Sequence, residues 1–276
     1  MEILTLSSTY LKEKNVSEPR LSSEILIAHA LGIKRLDIYL KFDIVPDENE
    51  LEKIRGLIKR RGKNEPVQYI TGETEFFGLP FRVNRSVLIP RHDTEVLVEQ
   101  AVKTIGKSEL NILEIGTGSG CIAISIASKC PNALITATDI SDVALDTASK
   151  NAELNKVSGR IKFLKHDILK GSFKDKFDMI ISNPPYIRKN VTDNLEEQVK
   201  KYEPLSALTD NADGLTFYRR INDILPQALK DGGHLLLEIG YDQENEIREI
   251  YKKSLAGVII TRDLSNNPRV LSGIKI

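Results

Sequence analysis

An α/β fold built on an open, mostly parallel sheet, preceded by a small helical module and a β-hairpin, is what the sequence predicts. Three observations predict it. From about residue 110, short β-prone apolar runs alternate with helical stretches, the pattern that puts helices on both faces of a parallel sheet. A glycine-rich turn, Gly116-Thr117-Gly118-Ser119-Gly120, directly follows the first of those runs and opens a helix. Before residue 72 the apolar residues recur instead at helical spacing. The expected division is a helical bundle over 1–72, a hairpin linker over 73–87 and an α/β domain over 88–276.

Composition is compatible with that division. A chain of 276 residues has room for one large domain or a small one joined to a medium one. Lys+Arg 39 against Asp+Glu 39 leaves no whole-chain electrostatic footprint, so stable nucleic-acid binding is not expected. Cys121 and Cys130 have neither metal-type spacing nor a disulfide framework, and His29, His92, His166 and His234 are scattered, so no metal site is expected. Residues 1–10 lack a basic region followed by a long apolar stretch, and no apolar run reaches transmembrane length. A cytoplasmic monomer that binds no membrane is the expectation.

In the helical module, Glu18-Pro19-Arg20 opens a helix whose Leu21, Ile25, Leu26 and Ala28 lie near one face, and Gly32 ends it. After Pro46, Asp47-Glu48-Asn49-Glu50 reads as a capping box, because Asp47 can accept from first-turn N–H groups. Leu51, Ile54, Leu57 and Ile58 continue that helix as a stripe. The basic run Lys59-Arg60-Arg61-Gly62-Lys63 falls at its expected end, where cations complement the helix dipole; an RNA or protein contact is the alternative. Two β-prone runs flank Gly78-Leu79-Pro80 and predict the hairpin, and a further helix should begin near Thr94.

Beyond residue 110 the predicted strands are 111–115, 134–139, 161–165, 177–182, 234–238, 257–261 and 269–274, with helices at 121–128, 143–154 and 215–229. Ligands of such a sheet bind at the carboxyl ends of its strands. The glycine turn suits one: glycines accept positive φ and let a ligand approach the backbone. About twenty residues on, Asp139 ends the second strand, where a carboxylate can accept from ribose hydroxyls. Cys121 stands where a dinucleotide fingerprint has its third glycine, so the turn suits S-adenosyl-L-methionine, which carries no phosphate. Glu114, in the strand before the turn, can pair with that cofactor's ammonium or brace the loop. The alternative is a merely tight turn with Asp139 capping the next helix. After the third strand, Asp167 can accept from an adenine amine and Ile168 pack on its ring, or Asp167 can simply start a turn. His166 reads as a surface histidine.

The fourth strand ends in Asn183-Pro184-Pro185-Tyr186. Two prolines fix two φ angles and push their predecessors into extended geometry, giving a stiff loop. The Asn183 carboxamide oxygen and the Pro184 carbonyl can accept both hydrogens of a planar N–H₂ while Tyr186 walls its plane. Facing a methyl donor, that arrangement suits methyl transfer to an amide or aniline-like nitrogen.

The glycine turn, Asp139 and Asn183-Pro184-Pro185-Tyr186 together resemble amino-group methyltransferases of class I, which have a Rossmann-like seven-stranded fold. The runs Glu65-Pro66-Val67-Gln68-Tyr69-Ile70-Thr71-Gly72, Glu75-Phe76-Phe77-Gly78-Leu79-Pro80-Phe81, Val87-Leu88-Ile89-Pro90-Arg91, Tyr202-Glu203-Pro204-Leu205-Ser206-Ala207-Leu208 and Asp213-Gly214-Leu215-Thr216-Phe217-Tyr218 narrow the resemblance. They are similar to the HemK/PrmC family of protein-(glutamine-N5) methyltransferases. That resemblance implies a release factor partner recognised by the helical module and methylated on the glutamine of its Gly-Gly-Gln loop, with S-adenosyl-L-homocysteine as co-product. It implies cofactor contacts from Gly116, Thr117, Gly118, Ser119, Gly120, Asp139, Asp167, Ile168 and Asn183, and glutamine contacts from Asn183, Pro184, Pro185 and Tyr186, with Asn183, Pro184 and Tyr186 as the catalytic set. By resemblance alone, Phe81 and Arg91 lie near the site entrance; a hairpin-core aromatic and a surface ion pair are the alternatives. The chain departs from the family pattern at His92-Asp93, where Pro-Glu is expected, and at Ile168, where an aromatic is common. It departs again in the tail 263–269, which lacks a glycine often found there. Two other readings compete: a nucleic-acid amino-methyltransferase using the same loop, and a non-catalytic cofactor-binding module.

Overall fold

The computed structural model describes residues 2–40 and 45–276; residue 1 and residues 41–44 of the expected helical module lie outside the described residues. Two compact units divide the chain: Met1–Glu73 with Leu195–Tyr202, and Thr74–Asn194 with Glu203–Ile276.

The first unit contains α1 (Glu2–Glu13), α2 (Pro19–Leu31), α3 (Asp37–Leu40), α4 (Glu48–Arg61), α5 (Val67–Thr71) and, returning later in the chain, α9 (Glu197–Tyr202). Leu4, Leu11, Leu26, Ile27, Ile54, Ile58 and Ile70 make its core. On α2 the buried face centres on Leu26 and Ile27, so Leu21 and Ile25 from the expected stripe end half-buried. The Asp47 capping box forms: Glu50 N donates to Asp47 Oδ1 at 2.8 Å, and Asp47 N to Glu50 Oε2 at 2.9 Å. Within the basic run, Arg60 grips Glu65 with two bonds of 2.9 Å. Arg61 is buried and donates to Ser22 Oγ, the Glu65 carbonyl and Gln198 Oε1. Arg61 thus ties α4 to α2 and α9, and Arg60 fixes the stretch leading to α5, uses that neither the helix-dipole reading nor the external-contact reading covers.

The second unit begins at Thr74, one residue into the hairpin strand β1 (Glu73–Phe76), and continues through β2 (Leu79–Arg82) and α6 (Glu95–Ile105). Phe76 and Phe81 lie inside the core of this unit. Strands β3 (Asn111–Ile115), β4 (Leu134–Asp139), β5 (Ile161–Lys165), β6 (Phe177–Ser182), β7 (Leu229–Glu238), β8 (Leu255–Arg262) and β9 (Pro268–Lys275) form one sheet in the order β5-β4-β3-β6-β7-β9-β8. The first five are parallel, and β9 runs antiparallel to both neighbours. Alternate residues face opposite layers. Ile112 and Met179 join one core with α7 (Cys121–Lys129) and α6, whereas Leu113 and Ile180 join another with α10 (Thr216–Ala228) and α11 (Glu244–Tyr251). Helix α8 (Asp142–Leu154) completes the layers. Strand β7 starts before the predicted residue 234, because Leu229 pairs with Phe177 ahead of a register shift. Helix α11 was absent from the sequence reading; Ile247 and Tyr251, one turn apart, seat it. Strand order reverses beside β3, so the carboxyl ends of β3 and β6 flank the switch point where ligands of open α/β sheets bind.

Candidate active site

A cavity of about 460 Å³ opens at those strand ends, between the glycine turn, Asp139, Asp167, Ile168 and Asn183-Pro184-Pro185. The turn itself is held by backbone bonds. Gly116 N and Thr117 N both donate to the Thr138 carbonyl, at 2.9 and 2.8 Å. Gly118 has φ +55, conformational space that side chains rarely enter, and its N–H donates to Asp139 Oδ2 at 2.9 Å. The other Asp139 oxygen accepts from Ser141 N at 2.9 Å. A carboxylate has about four acceptor positions, so Asp139 clamps two turns and retains capacity for ligand hydroxyls.

Gly120 lies outside the cavity lining: a Cβ there would meet Ile124 Cδ1 at 2.8 Å and Ala148 Cβ at 3.0 Å, so its absence lets α7 approach α8. Glu114 is also outside the lining and fully buried. Its Oε2 accepts from Thr117 Oγ1 at 2.6 Å, while Oε1 has no partner. Burial pushes this carboxyl up to about 7, with the Thr117 hydrogen bond opposing the shift. Of the two readings for Glu114, bracing the loop is the contact present.

Asp167 faces the cavity and also turns the chain, since its Oδ1 accepts from Leu169 N at 3.0 Å. Ile168 is buried at the same corner. His166 corrects the expectation of a surface histidine: half-buried, it borders the cavity with its ring 4.3 Å from that of Phe173. Burial lowers its pKa and favours the neutral imidazole.

Across the cavity, among the described residues every peptide bond is trans, those of Pro184 and Pro185 included. Asn183 Nδ2 donates to Thr94 Oγ1 at 3.1 Å, so the amide nitrogen is engaged on the protein side. Tyr186 corrects the expectation of a wall to the acceptor plane: it lies outside the cavity lining, turned to the core, where its hydroxyl donates to Glu238 Oε1 at 3.3 Å. Burial raises its pKa and keeps the phenol neutral. Its carbonyl accepts from Gln243 Nε2 at 3.1 Å, and Gln243 Oε1 in turn accepts from Gly240 N at 3.1 Å. At Gly214, φ +78, a Cβ would run into that same carbonyl.

The two residues placed by resemblance part company. Arg91 borders the cavity and pairs with Glu203 Oε1 at 2.5 Å, a carboxylate whose side chain is 1% exposed. Phe81 is 0% exposed and packs edge-on to Phe76 at 6.1 Å, away from the cavity, which is the hairpin-core alternative. Sequence reasoning missed Thr94, Gly214, Glu238 and Gln243. Glu238 did carry a usable signal, being a carboxylate at a predicted strand's end like Asp139; Gln243 carried none.

The PrmC N-terminal domain family matches residues 2–72, and the methyltransferase small domain family matches residues 92–201. The chain is 40% identical over 282 residues to the release factor glutamine methyltransferase of Chlorobaculum tepidum, covering 99% of this chain and 96% of that protein. A release factor glutamine methyltransferase of Fusobacterium nucleatum is 39% identical over 275 residues, with 98% of this chain and 77% of that protein covered. Among solved structures, a methyltransferase from Pyrococcus furiosus is similar in fold, with TM-score 0.53 and 23% identity over 72% of this chain and 90% of that one.

Proposed function

The chain belongs to the release factor glutamine methyltransferase family, and on that premise we propose that it methylates the side-chain amide nitrogen of the glutamine in the Gly-Gly-Gln loop of class I peptide release factors. The observation that carries the proposal is a shared cavity: the glycine turn and Asp139 border one side, and Asn183 and Pro184 border the other. The first side fits S-adenosyl-L-methionine. Side-chain-free glycines line it, Asp139 keeps acceptor capacity for ribose hydroxyls, and Ile168 with Asp167 offers an apolar and an acceptor edge to adenine. Bound there, S-adenosyl-L-methionine supplies an electrophilic methyl on a sulfonium and leaves as S-adenosyl-L-homocysteine.

The residues of the second side deal with a weak nucleophile. An amide nitrogen shares its lone pair with the carbonyl, the resonance that keeps peptide groups planar. Asn183 Oδ1 and the Pro184 carbonyl accept its two hydrogens, hold the nitrogen in line and favour the positive charge that develops on it. Tyr186 backs the loop as a neutral phenol. Once methylated, the nitrogen carries a positive charge and both of its hydrogens; that cation is strongly acidic and gives one proton to water, leaving the neutral N-methyl amide, so no side chain need act as a base. Translation termination supplies the substrate, and the proposed site of action is therefore the cytoplasm.

Labelled S-adenosyl-L-methionine offered with purified release factor, DNA and ribosomal RNA tests this. Label on the release factor glutamine is expected. Label on nucleic acid alone would overturn the proposal, and transfer to none of them would leave a binding module.

A further inference from the structure

Glu238 closes β7 directly behind the Asn183 loop, 1% exposed, and nothing in the chemistry above uses its charge. Its Oε1 accepts from the Tyr186 hydroxyl at 3.3 Å, and Oε2 is buried without a hydrogen-bond partner. The Thr94 hydroxyl also faces this carboxyl and favours its ionised form. Thr94 Oγ1 is the atom that accepts from Asn183 Nδ2 at 3.1 Å. The Glu238 backbone is fixed from the other side, where its carbonyl accepts from Tyr218 Oη at 2.8 Å.

We propose that Glu238 is a positioning residue for methyl transfer, holding Tyr186 directly and, through the Thr94 hydroxyl, fixing which end of the Asn183 amide faces the acceptor. This rests on the function proposed above. A threonine hydroxyl has one hydrogen. While that hydrogen is directed to the Glu238 carboxylate, the Thr94 oxygen is left to accept. Asn183 must then present Nδ2 to Thr94 and Oδ1 to the cavity, where an acceptor oxygen is needed. A protonated Glu238 becomes a donor itself. The Thr94 hydrogen is then free to turn toward Asn183, and the amide can bind in the flipped sense, with N–H₂ facing the substrate N–H₂.

Burial pushes the Glu238 carboxyl up to about 7, so the switch falls in an accessible range. The other charged or titratable groups facing it come from several elements. Tyr186 and Tyr218 are kept protonated by burial, and the Cys121 thiol is pushed up to about 12 by burial. Asp93 pairs with Arg269 at 2.9 Å. Among the described residues Glu114 is also brought to about 7 by burial.

Glu238→Gln tests the proposal in the full chain, read by turnover on release factor from pH 6 to 9, by S-adenosyl-L-methionine affinity, and by the side-chain ¹⁵N–¹H₂ signal of Asn183. In the wild type, turnover should fall below pH 7 and the Asn183 signal should move over the same range. The variant should lose about tenfold in kcat at pH 8, as expected for a displaced positioning group, while cofactor affinity stays within about twofold. Its Asn183 signal should no longer titrate. An acid limb that survives unchanged in the variant would belong to another group, Glu114 or the cavity-lining His166, and overturn the proposal. Thr94→Val removes the relay's hydroxyl at nearly constant shape and serves if Glu238→Gln melts early: the pair should cost less than the product of the single effects, and independent effects overturn the relay. The Asn183 signal needs no substrate. If it titrates in the wild type but not in the variant while release factor remains unlabelled, the substrate reading fails and the role of Glu238 stands.

Discussion

The glycine-turn side of the cavity supports itself over short distances, whereas the Asn183 side is held from afar. Gly118 finds its partner in Asp139, 21 residues on, across two neighbouring strand ends. Asn183 and Tyr186 depend on Thr94, Glu238 and Gln243, which lie 52 to 89 residues away in the chain. Each side nevertheless rests on the same device, a glutamate in the last two residues of a strand, buried in the core with one oxygen on a hydroxyl and the other without a hydrogen-bond partner. Glu114 braces a backbone turn through a neighbour three residues away; Glu238 braces side chains from distant elements. A turn shaped by φ angles can be written into a few consecutive residues. A clamp that must present two acceptors to a planar group needs supports from every layer around it.

Asn183→Ala should separate the two sides most sharply. It deletes one of two acceptors aimed at the reacting nitrogen, and removal of a comparable preorganised group lowers turnover about 10²–10³-fold. Cofactor affinity, measured calorimetrically, should change little, because the glycine turn has no bond to Asn183. An equal loss of cofactor binding would mean that the two sides are not separable.

Glu114→Gln sharpens the comparison of the two buried carboxyls. Glu114 goes from an ordinary 4.5 to about 7, chiefly through burial, so between those values the folded chain holds a proton that the unfolded chain releases. Its contribution to stability is complete below 4.5 and is lost as pH rises through 7, on the order of 3 kcal/mol in all. Glutamine does not titrate. Urea unfolding of both proteins at pH 5 and pH 8 should show the variant gaining on the wild type by that order at the higher pH. No relative gain would mean that the Glu114 carboxyl is not held protonated by its surroundings.

Asp139→Ala should act on the opposite side from Asn183→Ala. Hydrogen bonds to a charged group are worth about 1.5–3 kcal/mol, which is roughly ten- to hundredfold in cofactor Kd. With cofactor saturating, kcat should recover much of its wild-type value. A fall in kcat that excess cofactor cannot restore would place Asp139 in the acceptor clamp.

This contrast accounts for what was legible in the sequence. The glycine turn and the proline-locked loop are statements about neighbouring residues and lie where the sequence places them, and the alternation of strands and helices holds except for the early start of β7 and the added helix α11. Thr94, Gly214 and Gln243 act only after the chain has folded: Gly214 leaves room for the Tyr186 carbonyl, and Gln243 joins that carbonyl to Gly240. No local pattern marks such residues. Arg61 is the same case in the helical unit, where a cation that looks like a helix-end charge is buried among Ser22, Glu65 and Gln198.

Phe81 is where resemblance and geometry pull furthest apart, and its substitution should have the smallest effect. A contact at the site entrance would raise the release factor KM when shortened and leave the fold unaffected. A core aromatic behaves the other way round. Phe81 is 0% exposed, meets Phe76 edge-on and shares its cluster with Leu97 and Ile126, so the second behaviour is expected. Phe81→Leu keeps an apolar group but loses volume and the ring pair, which should cost about 1–1.5 kcal/mol of stability. The melting temperature should drop by a few degrees, with KM for release factor unchanged within about twofold at a temperature where both proteins are folded. A raised KM at unchanged melting temperature would move Phe81 to the acceptor side, and that side would then draw on the hairpin as well as on β6 and β7.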